Sequence, residues 1–179
     1  MPTWVCLLRA VNLVSHNRVP MPALRKALSA DGFDDVRTYV QSGNIVARSA
    51  LSSPLQVADR VTRLVSAEFG VNAPVVVRTL PELDRVIDRN PFPEAARERP
   101  RGLHVVFLAG TPDAARAADL HDHQLARGLC LVDGDHLYVD YRDGVHASKL
   151  TPQFLARVLR VEGTARNWRT VMALQELAQ

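Results

Sequence analysis

Short apolar runs alternate with helix-like stripes along the chain, and their order constrains the fold more than any other feature. Residues 4–11 form an apolar run, residues 20–30 repeat apolar side chains at helical spacing, and residues 36–40 alternate between apolar and polar. These periods are typical of a buried strand, an amphipathic helix and a half-buried strand. The pair Ser42-Gly43 then predicts a tight turn into a returning strand.

The same pattern continues to residue 90. The returning strand covers residues 44–47, and Ser53-Pro54 predicts a helix start, with serine as the N-cap and proline in the first turn. A strand over residues 74–78 and a helix over residues 81–89 follow. The order β-α-β-β-α-β, followed by an extra helix, is that of a ferredoxin-like unit.

After a proline-rich stretch the order repeats. The predicted elements are a strand over 103–109, a helix over 112–126, a hairpin around Asp133-Gly134-Asp135, a helix opened by Thr151-Pro152, a short strand over 161–165 and a helix capped by Asn167. We therefore predict an α+β fold of two tandem ferredoxin-like halves, each followed by an extra helix. The predicted boundaries are 1–90 for the first half, 91–102 for a linker and 103–179 for the second half with its C-terminal helix.

Composition is that of an ordinary water-soluble protein. Of the 179 residues, 47% are hydrophobic and 23% charged, which is enough to bury a core without disulfides. Cys6 and Cys130 each lie in an apolar run, so we expect two buried free thiols, as in a reducing compartment. The first apolar run is interrupted by Arg9 and is far shorter than the roughly 20 residues that span a bilayer. We predict a cytoplasmic protein with no membrane partner.

The formal charge of +3 does not by itself indicate a nucleic-acid partner. Lys26 and Lys149 are the only lysines, and the arginines are spread along the chain rather than gathered in one run. Net charge of this size bears on solubility and non-specific binding. A nucleic-acid partner stays open but is less favoured, and the sequence leaves the oligomeric state undetermined.

Two polar segments of the first half are expected to meet. In a ferredoxin-like sheet the first and third strands are antiparallel neighbours, so the end of one lies beside the start of the other. This brings the loop 12–18 next to the turn 41–44. We call these two segments the rim.

The rim has two interpretations. Asparagine and glutamine amides, a serine hydroxyl and a glycine N–H offer hydrogen bonds, and Arg9 or Arg18 can pair bidentately with phosphate or carboxylate. Alternatively, Asn12, Asn17 and Asn44 satisfy the loop backbone through local turns and have no ligand. A second polar stretch carries the same ambiguity: Asn167 and its neighbour Trp168 suit a helix cap and a packed aromatic, whereas Lys149 and Arg166, each near a helix start, suit an anion.

Familiar catalytic and metal-binding patterns are absent from the sequence. His121 and His123 are two residues apart, which places them on different faces of a helix. Adjacent Ser148 and Lys149 make a weak case for a hydrolase, and no nucleophile-elbow, phosphate-loop or dinucleotide glycine pattern occurs. An RNA platform is disfavoured because the strand over residues 44–47 has no aromatic side chain. We predict no metal and no cofactor.

Specific motifs resemble those of one bacterial family. They are Leu-Leu-Arg at 7–9, Thr-Tyr-Val-Gln-Ser-Gly-Asn at 38–44, Ser-Lys-Leu at 148–150 and Thr-Ala-Arg-Asn-Trp at 164–168. Together they resemble the domain-of-unknown-function family 1697 over nearly the whole chain. The resemblance implies a compact cytoplasmic α+β fold of ferredoxin-like pieces and carries no assigned activity.

The chain departs from that family pattern in its first loop. Ala10 stands where the family shows glycine, and Val14-Ser15 replaces a glycine pair. Arg18 stands for lysine and Arg169 for asparagine. Because glycine permits positive φ and close backbone approach, we expect a differently shaped loop and a weaker case for a phosphate cradle there.

The leading hypothesis is a binding protein for a small anionic or nucleotide-like ligand. The alternatives are an enzyme of unassigned reaction using the same residues, and a nucleic-acid-binding or protein-assembly module. The candidate ligand-binding residues are Arg9, Asn12, Asn17, Arg18, Gln41, Ser42, Gly43, Asn44, Lys149, Arg166 and Asn167.

Overall fold

The computed structural model describes residues 1–13, 16–126 and 128–179 as a mixed α+β protein with two four-stranded antiparallel sheets. Two compact units emerge from the pattern of contacts. The first comprises Met1–Arg85 and Met172–Gln179, and the second comprises Val86–Val171.

The first unit is built on the sheet order β2-β3-β1-β4. Its elements are β1 (Thr3–Leu8), α1 (Met21–Ala30), β2 (Asp34–Tyr39), β3 (Asn44–Arg48), α2 (Pro54–Phe69) and β4 (Val75–Thr79), after which α3 (Leu80–Asp88) begins. Alternate residues of β1 pack with the apolar stripes of α1 and α2 in one core, in which Leu24 and Val61 are fully buried. The stripes arise because apolar residues recur at helical spacing.

The second unit has the order β6-β7-β5-β8. Its elements are α4 (Pro93–Glu98), β5 (Leu103–Leu108), α5 (Ala114–Asp122), β6 (Cys130–Asp133), β7 (His136–Asp140), a 3-10 turn (Val145–Ala147), α6 (Pro152–Leu159) and β8 (Gly163–Asn167), and α7 (Trp168–Ala178) follows. Leu120, Leu137 and Leu159 lie in its core. Both units therefore have the same strand order, with a helix after the first and the third strand of each.

Helix starts follow the expected capping chemistry. The Ser53 hydroxyl accepts a hydrogen bond from the Gln56 N–H at 3.2 Å, and Pro54 occupies the first turn of α2. The Thr151 hydroxyl does the same for Phe154 at 3.1 Å. These contacts confirm both predicted N-caps, because each satisfies an N–H that has no partner within the helix.

Three local predictions differ from the structure. Strand β2 ends at Tyr39, and Val40 instead turns out of the sheet with φ 50. Helix α5 ends at Asp122 rather than residue 126, because the ring Nδ1 of His123 accepts the Leu125 N–H and competes with the helical pattern. The last strand, β8, begins two residues later than expected at Gly163.

The chain segments also divide differently from the predicted halves. The predicted linker 91–102 contains helix α4, in which Pro93 occupies the first turn, where its missing N–H costs nothing. The end of the final helix, Met172–Gln179, belongs to the first unit rather than to the half that precedes it. The boundaries 1–90 and 103–179 remain a prediction for independently folding pieces.

Both cysteines are buried and free, as predicted. Burial raises the pKa of Cys6 to about 12 and that of Cys130 to about 11, so both stay protonated thiols at neutral pH. In the described part of the chain, no helix combines the length and apolarity needed to cross a membrane.

Candidate functional site

The two segments of the rim meet where β1 ends, which confirms the prediction for the residues described. The N–H of Leu8 donates to the Gly43 carbonyl at 2.8 Å. The Asn12 amide donates to the Gln41 carbonyl at 2.6 Å. Antiparallel pairing of β1 with β3 thus brings together residues about thirty positions apart. Val14 and Ser15, whose departure from the family pattern we noted, lie outside the described residues.

Asn12 is the residue that ties the rim together. Its Nδ2 donates to the Val19 carbonyl at 2.9 Å as well as to Gln41, and its Oδ1 accepts the Val19 N–H at 2.8 Å. Its own N–H donates to the Asn17 carbonyl at 2.9 Å. One side chain therefore closes the first loop and fastens it to the turn between β2 and β3.

The other two asparagines also bond the loop backbone. Asn17 donates to the Ala10 carbonyl at 2.9 Å. Asn44 is fully buried and donates to the Tyr39 carbonyl at 3.0 Å and to the Ser42 hydroxyl at 2.9 Å. These bonds support the interpretation in which Asn12, Asn17 and Asn44 shape the rim.

Gly43 occupies a position that only glycine fits. Its φ is +74, and an added Cβ would lie 2.6 Å from Val11 Cγ2 and 2.7 Å from Leu8 Cβ. Both distances are well inside van der Waals contact. Its role is close packing of the turn on β1.

Left-handed backbone is concentrated at this edge of the sheet. Six non-glycine residues of the described chain have positive φ, and four of them, Ala10, Asn12, Asn17 and Val40, lie in or beside the rim. Asparagine tolerates this region, whereas alanine and valine are strained there. Ala10 therefore keeps, at φ 55, a conformation suited to the glycine of the family pattern.

Residues 1–138 match the family described as a protein of unknown function, DUF1697. The chain belongs to the DUF1697 family. Among solved structures it is similar to the conserved bacterial protein SP0830 from Streptococcus pneumoniae, with a TM-score of 0.74 and 16% identity over 99% of both chains. A likeness at this identity shows the fold alone, and no curated protein matches significantly.

Among the described residues of the rim, five polar side chains are exposed: His16, Asn17, Arg18, Gln41 and Ser42. Arg9, which follows β1, is half-buried. Asn17 donates to the Ala10 carbonyl, and the hydroxyl of Ser42 accepts from Asn44, so both residues also bond within the rim region. The exposed surface of the rim therefore combines a guanidinium, an imidazole, amides and a hydroxyl.

The second polar stretch lies in the second unit, beyond the residues that match the DUF1697 family. Lys149 is exposed. The Oδ1 of Asn167 accepts the Thr170 N–H and hydroxyl, both at 3.0 Å, so Asn167 caps α7 as one interpretation predicted. The structure assigns Lys149, Arg166 and Asn167 to a different unit from the rim.

Arg166 is a buried arginine. It is only 7% exposed, and its Nη1 donates to the Thr164 hydroxyl at 2.7 Å and to the Ala165 carbonyl at 2.9 Å. Burial lowers its pKa to about 10, because a charged guanidinium loses hydration. It remains protonated at neutral pH.

A second buried arginine, at the equivalent position of the first unit, was not predicted from the sequence. Arg78 on β4 is 6% exposed and pairs with Val5 of β1, just as Arg166 on β8 pairs with Val105 of β5. Each arginine is followed by one residue and then a helix. In the sequence the two arginines stand out only as Arg78-Thr79 and Arg166-Asn167 at two strand ends. Only the strand register shows that their positions are equivalent.

Two further polar clusters of the second unit were not predicted from the sequence. Asp140, 2% exposed in its side chain, accepts two hydrogen bonds from Arg99, at 2.8 and 3.1 Å. Asp140 is therefore the buried member of an ion pair. His136 lies 3.1 Å from the Tyr138 hydroxyl.

Among the described residues, no group of three histidine, cysteine or carboxylate side chains is placed to hold an ion. The Nε2 of His121 accepts the Val132 N–H at 2.9 Å, and Nδ1 of His123 accepts the Leu125 N–H at 3.2 Å. Both rings bond the backbone of their own unit.

Proposed function

We propose that this chain binds a small anionic ligand at the rim of the first unit. The observation that carries the proposal is the concentration of left-handed non-glycine residues there, since strained backbone persists only where surrounding contacts hold it and clusters at binding sites. Asn12 supplies those contacts by bonding both segments. A fixed loop shape reduces the ordering that a ligand would otherwise have to impose.

The exposed groups supply the chemistry. Arg18 and Arg9 are cations suited to phosphate or carboxylate, and Gln41 and Ser42 add neutral hydrogen-bonding groups. In this proposal Asn12, Asn17 and Asn44 are positioning residues, and Gly43 permits the turn to approach β1. Participation of Lys149, Arg166 or Asn167 stays a prediction, and the proposal does not depend on it.

Two finer features belong to the same proposal. The sheet orders β2-β3-β1-β4 and β6-β7-β5-β8, with a helix after the first and third strand of each, support two tandem ferredoxin-like units. The two buried free thiols support a reducing, cytoplasmic location.

Thermal unfolding with a panel of anions tests the proposal. A ligand at 100 times its Kd stabilises the folded state by about 2.7 kcal/mol, which shifts the midpoint measurably. We expect a shift with one class of small anion that persists at physiological salt and is reduced in Arg18→Ala. The matched control is Arg63→Ala, which removes an exposed arginine from α2 and should leave the shift intact.

Other outcomes favour the alternatives. Shifts with oligonucleotides only, fading as salt rises, would indicate binding through backbone charge and support a nucleic-acid partner. Conversion of the added anion, followed by mass spectrometry, would indicate an enzyme. An unchanged midpoint with every anion would overturn the proposal and leave the asparagines with a purely structural role.

A further inference from the structure

A cavity of about 320 Å³ lies in the first unit, at the end of the sheet away from the rim. Its walls come from the start of β1, from β2, from the end of β3 and from the end of α7. All of these segments belong to the first unit. Cavities that hold small organic ligands begin at about 300 Å³, so this one is large enough for a small molecule.

Strand pairing places four of the lining residues on one face of the sheet. Thr3 pairs with Arg48, and Arg37 pairs with Val46. Directly paired residues share a face, as do residues two apart on one strand such as Val46 and Arg48. The side chain of Ala47, between them, packs in the core with α1 and α2. The cavity therefore lies on the opposite face of the sheet from these two helices.

Arg37 is held in place on this face by two neighbours. Its Nε donates to Asp35 Oδ1 at 3.1 Å, and its Nη2 donates to Asp35 Oδ2. Its Nη1 donates to the Leu177 carbonyl at 3.1 Å, which places the last turn of α7 over the sheet. A guanidinium has five N–H groups, so two of those on Arg37 have no acceptor within the described part of the chain.

Arg48 supplies a positive charge that the lining does not neutralise. It is exposed, and no hydrogen bond or ion pair joins its side chain to another described residue. The one carboxylate side chain of the lining, Asp35, is already paired with Arg37. The side chains around the cavity therefore carry one positive charge in excess.

We propose that this cavity binds a small carboxylate with a short apolar body. Arg48 pairs with the carboxylate in the planar two-bond geometry that guanidinium groups favour, and Arg37 offers further donors in the same cavity. Val46 and Leu177 supply an apolar wall for the body of the ligand. The single excess charge suits a monocarboxylate, and inorganic phosphate would leave the apolar wall unused. This site is separate from the rim, so neither proposal depends on the other.

NMR titration of the isotope-labelled, intact chain at constant ionic strength tests the proposal. The probes are acetate, butanoate, hexanoate, inorganic phosphate and the uncharged 1-hexanol. Hexanoate should shift the amide signals of Thr3, Arg48 and Leu177, and it should bind at least about tenfold more tightly than 1-hexanol. From acetate to hexanoate the affinity should rise by up to about fourfold for each methylene that the cavity buries.

Arg48→Gln removes the charge and leaves a neutral amide at the cavity. Hexanoate affinity should fall by about tenfold or more, because a charge-assisted pair is lost. The thermal midpoint should change little, since the Arg48 side chain has no partner to lose among the described residues. The matched control is Arg63→Gln, which replaces an exposed arginine of α2 outside the cavity and should leave the affinity unchanged.

Four results would overturn the proposal. They are equal affinity for hexanoate and 1-hexanol, tighter binding of inorganic phosphate than of hexanoate, full hexanoate affinity in Arg48→Gln, and no binding of any carboxylate. Signal shifts confined to the turn 41–44 would also overturn it, and they would support anion binding at the rim instead.

Discussion

The two units use the same strand order but build their hairpin edges from different chemistry. Asn44 pairs with Leu7 in the first unit, and His136 pairs with Phe107 at the equivalent position of the second. Asn44 donates to two neutral groups, the Tyr39 carbonyl and the Ser42 hydroxyl. A buried polar residue starts this strand in both units, but its chemistry differs between them.

The second hairpin places charged groups against one another. Asp133 pairs with Arg89 at 3.2 Å, and the Tyr138 hydroxyl donates to the Val86 carbonyl at 2.8 Å. Burial, with the nearby Asp133 carboxylate, raises the pKa of Tyr138. The rim of the first unit is instead held by asparagine amides, and Arg18 of its first loop is exposed.

The strand-to-helix junctions show a second difference. At the first, the Glu82 carboxylate accepts the Thr79 N–H at 2.7 Å and its hydroxyl at 2.8 Å. At the second, the acceptor is Asn167, on the strand side, and the donors are on Thr170. The residue at the strand end donates at the first junction and accepts at the second, and the residue three positions later does the reverse. Equivalent junctions are therefore stabilised by hydrogen bonds of opposite direction.

The largest expected effect distinguishes the glycines of the two hairpins. Gly43→Ala should destabilise the protein by about 3 kcal/mol, from left-handed strain plus overlap with Val11 and Leu8. Gly134→Ala, with φ +60 and open space around the added Cβ, should cost about 1 kcal/mol. Urea denaturation of both variants measures the difference. Equal losses would mean that close packing does not distinguish the two turns.

Removal of the Asn12 amide should have the next largest effect. Asn12→Ala should cost about 2–3 kcal/mol, because three hydrogen bonds are lost and alanine is strained at φ 54. Asn12→Gly loses the same bonds without that strain, so we expect it to be the more stable of the two by denaturation. Hydrogen exchange should increase at Val19 in both variants, and protection equal to the parent would contradict the role of Asn12.

A pH series tests the reliance of the second unit on charge. The hydrogen bonds from Arg99 hold the pKa of Asp140 below its ordinary value. Asp140 therefore stabilises the folded state above the unfolded pKa of about 3.9, and this contribution is lost as the pH falls through the lower folded pKa.

Asp140→Asn should therefore destabilise the protein at neutral pH. On acidification the variant should lose less stability than the parent protein. Thermal unfolding at neutral and at acidic pH measures both effects. Asp59→Asn is the control, since Asp59 forms an exposed pair with Arg63 on α2 and should change stability by only about 0.5 kcal/mol. Parallel pH profiles for the parent and Asp140→Asn would contradict a charge-dependent second unit.

The smallest expected effect on stability concerns the two strand-to-helix junctions, between β4 and α3 and between β8 and α7. Asn167→Ala and Glu82→Ala should each cost about 1 kcal/mol, because each removes the acceptor at a helix start. Asn167→Asp and Glu82→Gln keep an acceptor oxygen and should retain most of the stability in the same denaturation assay. If the conservative variants lose as much stability as the alanine variants, the hydrogen-bond acceptor is not the source of the stabilisation.

Local patterns made much of the fold predictable. Helical stripes and capping residues such as Ser53 and Thr151 depend on near neighbours, and the meeting of the rim segments follows from antiparallel pairing alone. The conformation of Val40 was not predictable, because a four-residue turn between Tyr39 and Asn44 determines it. The equivalence of Arg78 and Arg166 depends on strand register, which sequence period does not specify.

The final residues of the chain determine the order in which its two units can be completed during synthesis. Met172–Gln179 belong to the first unit, and Arg37 of β2 donates to the Leu177 carbonyl at 3.1 Å across 140 positions of sequence. At roughly 5–20 residues per second, a ribosome needs on the order of ten seconds to cover that distance. The unit that is translated first is therefore the one that is completed last.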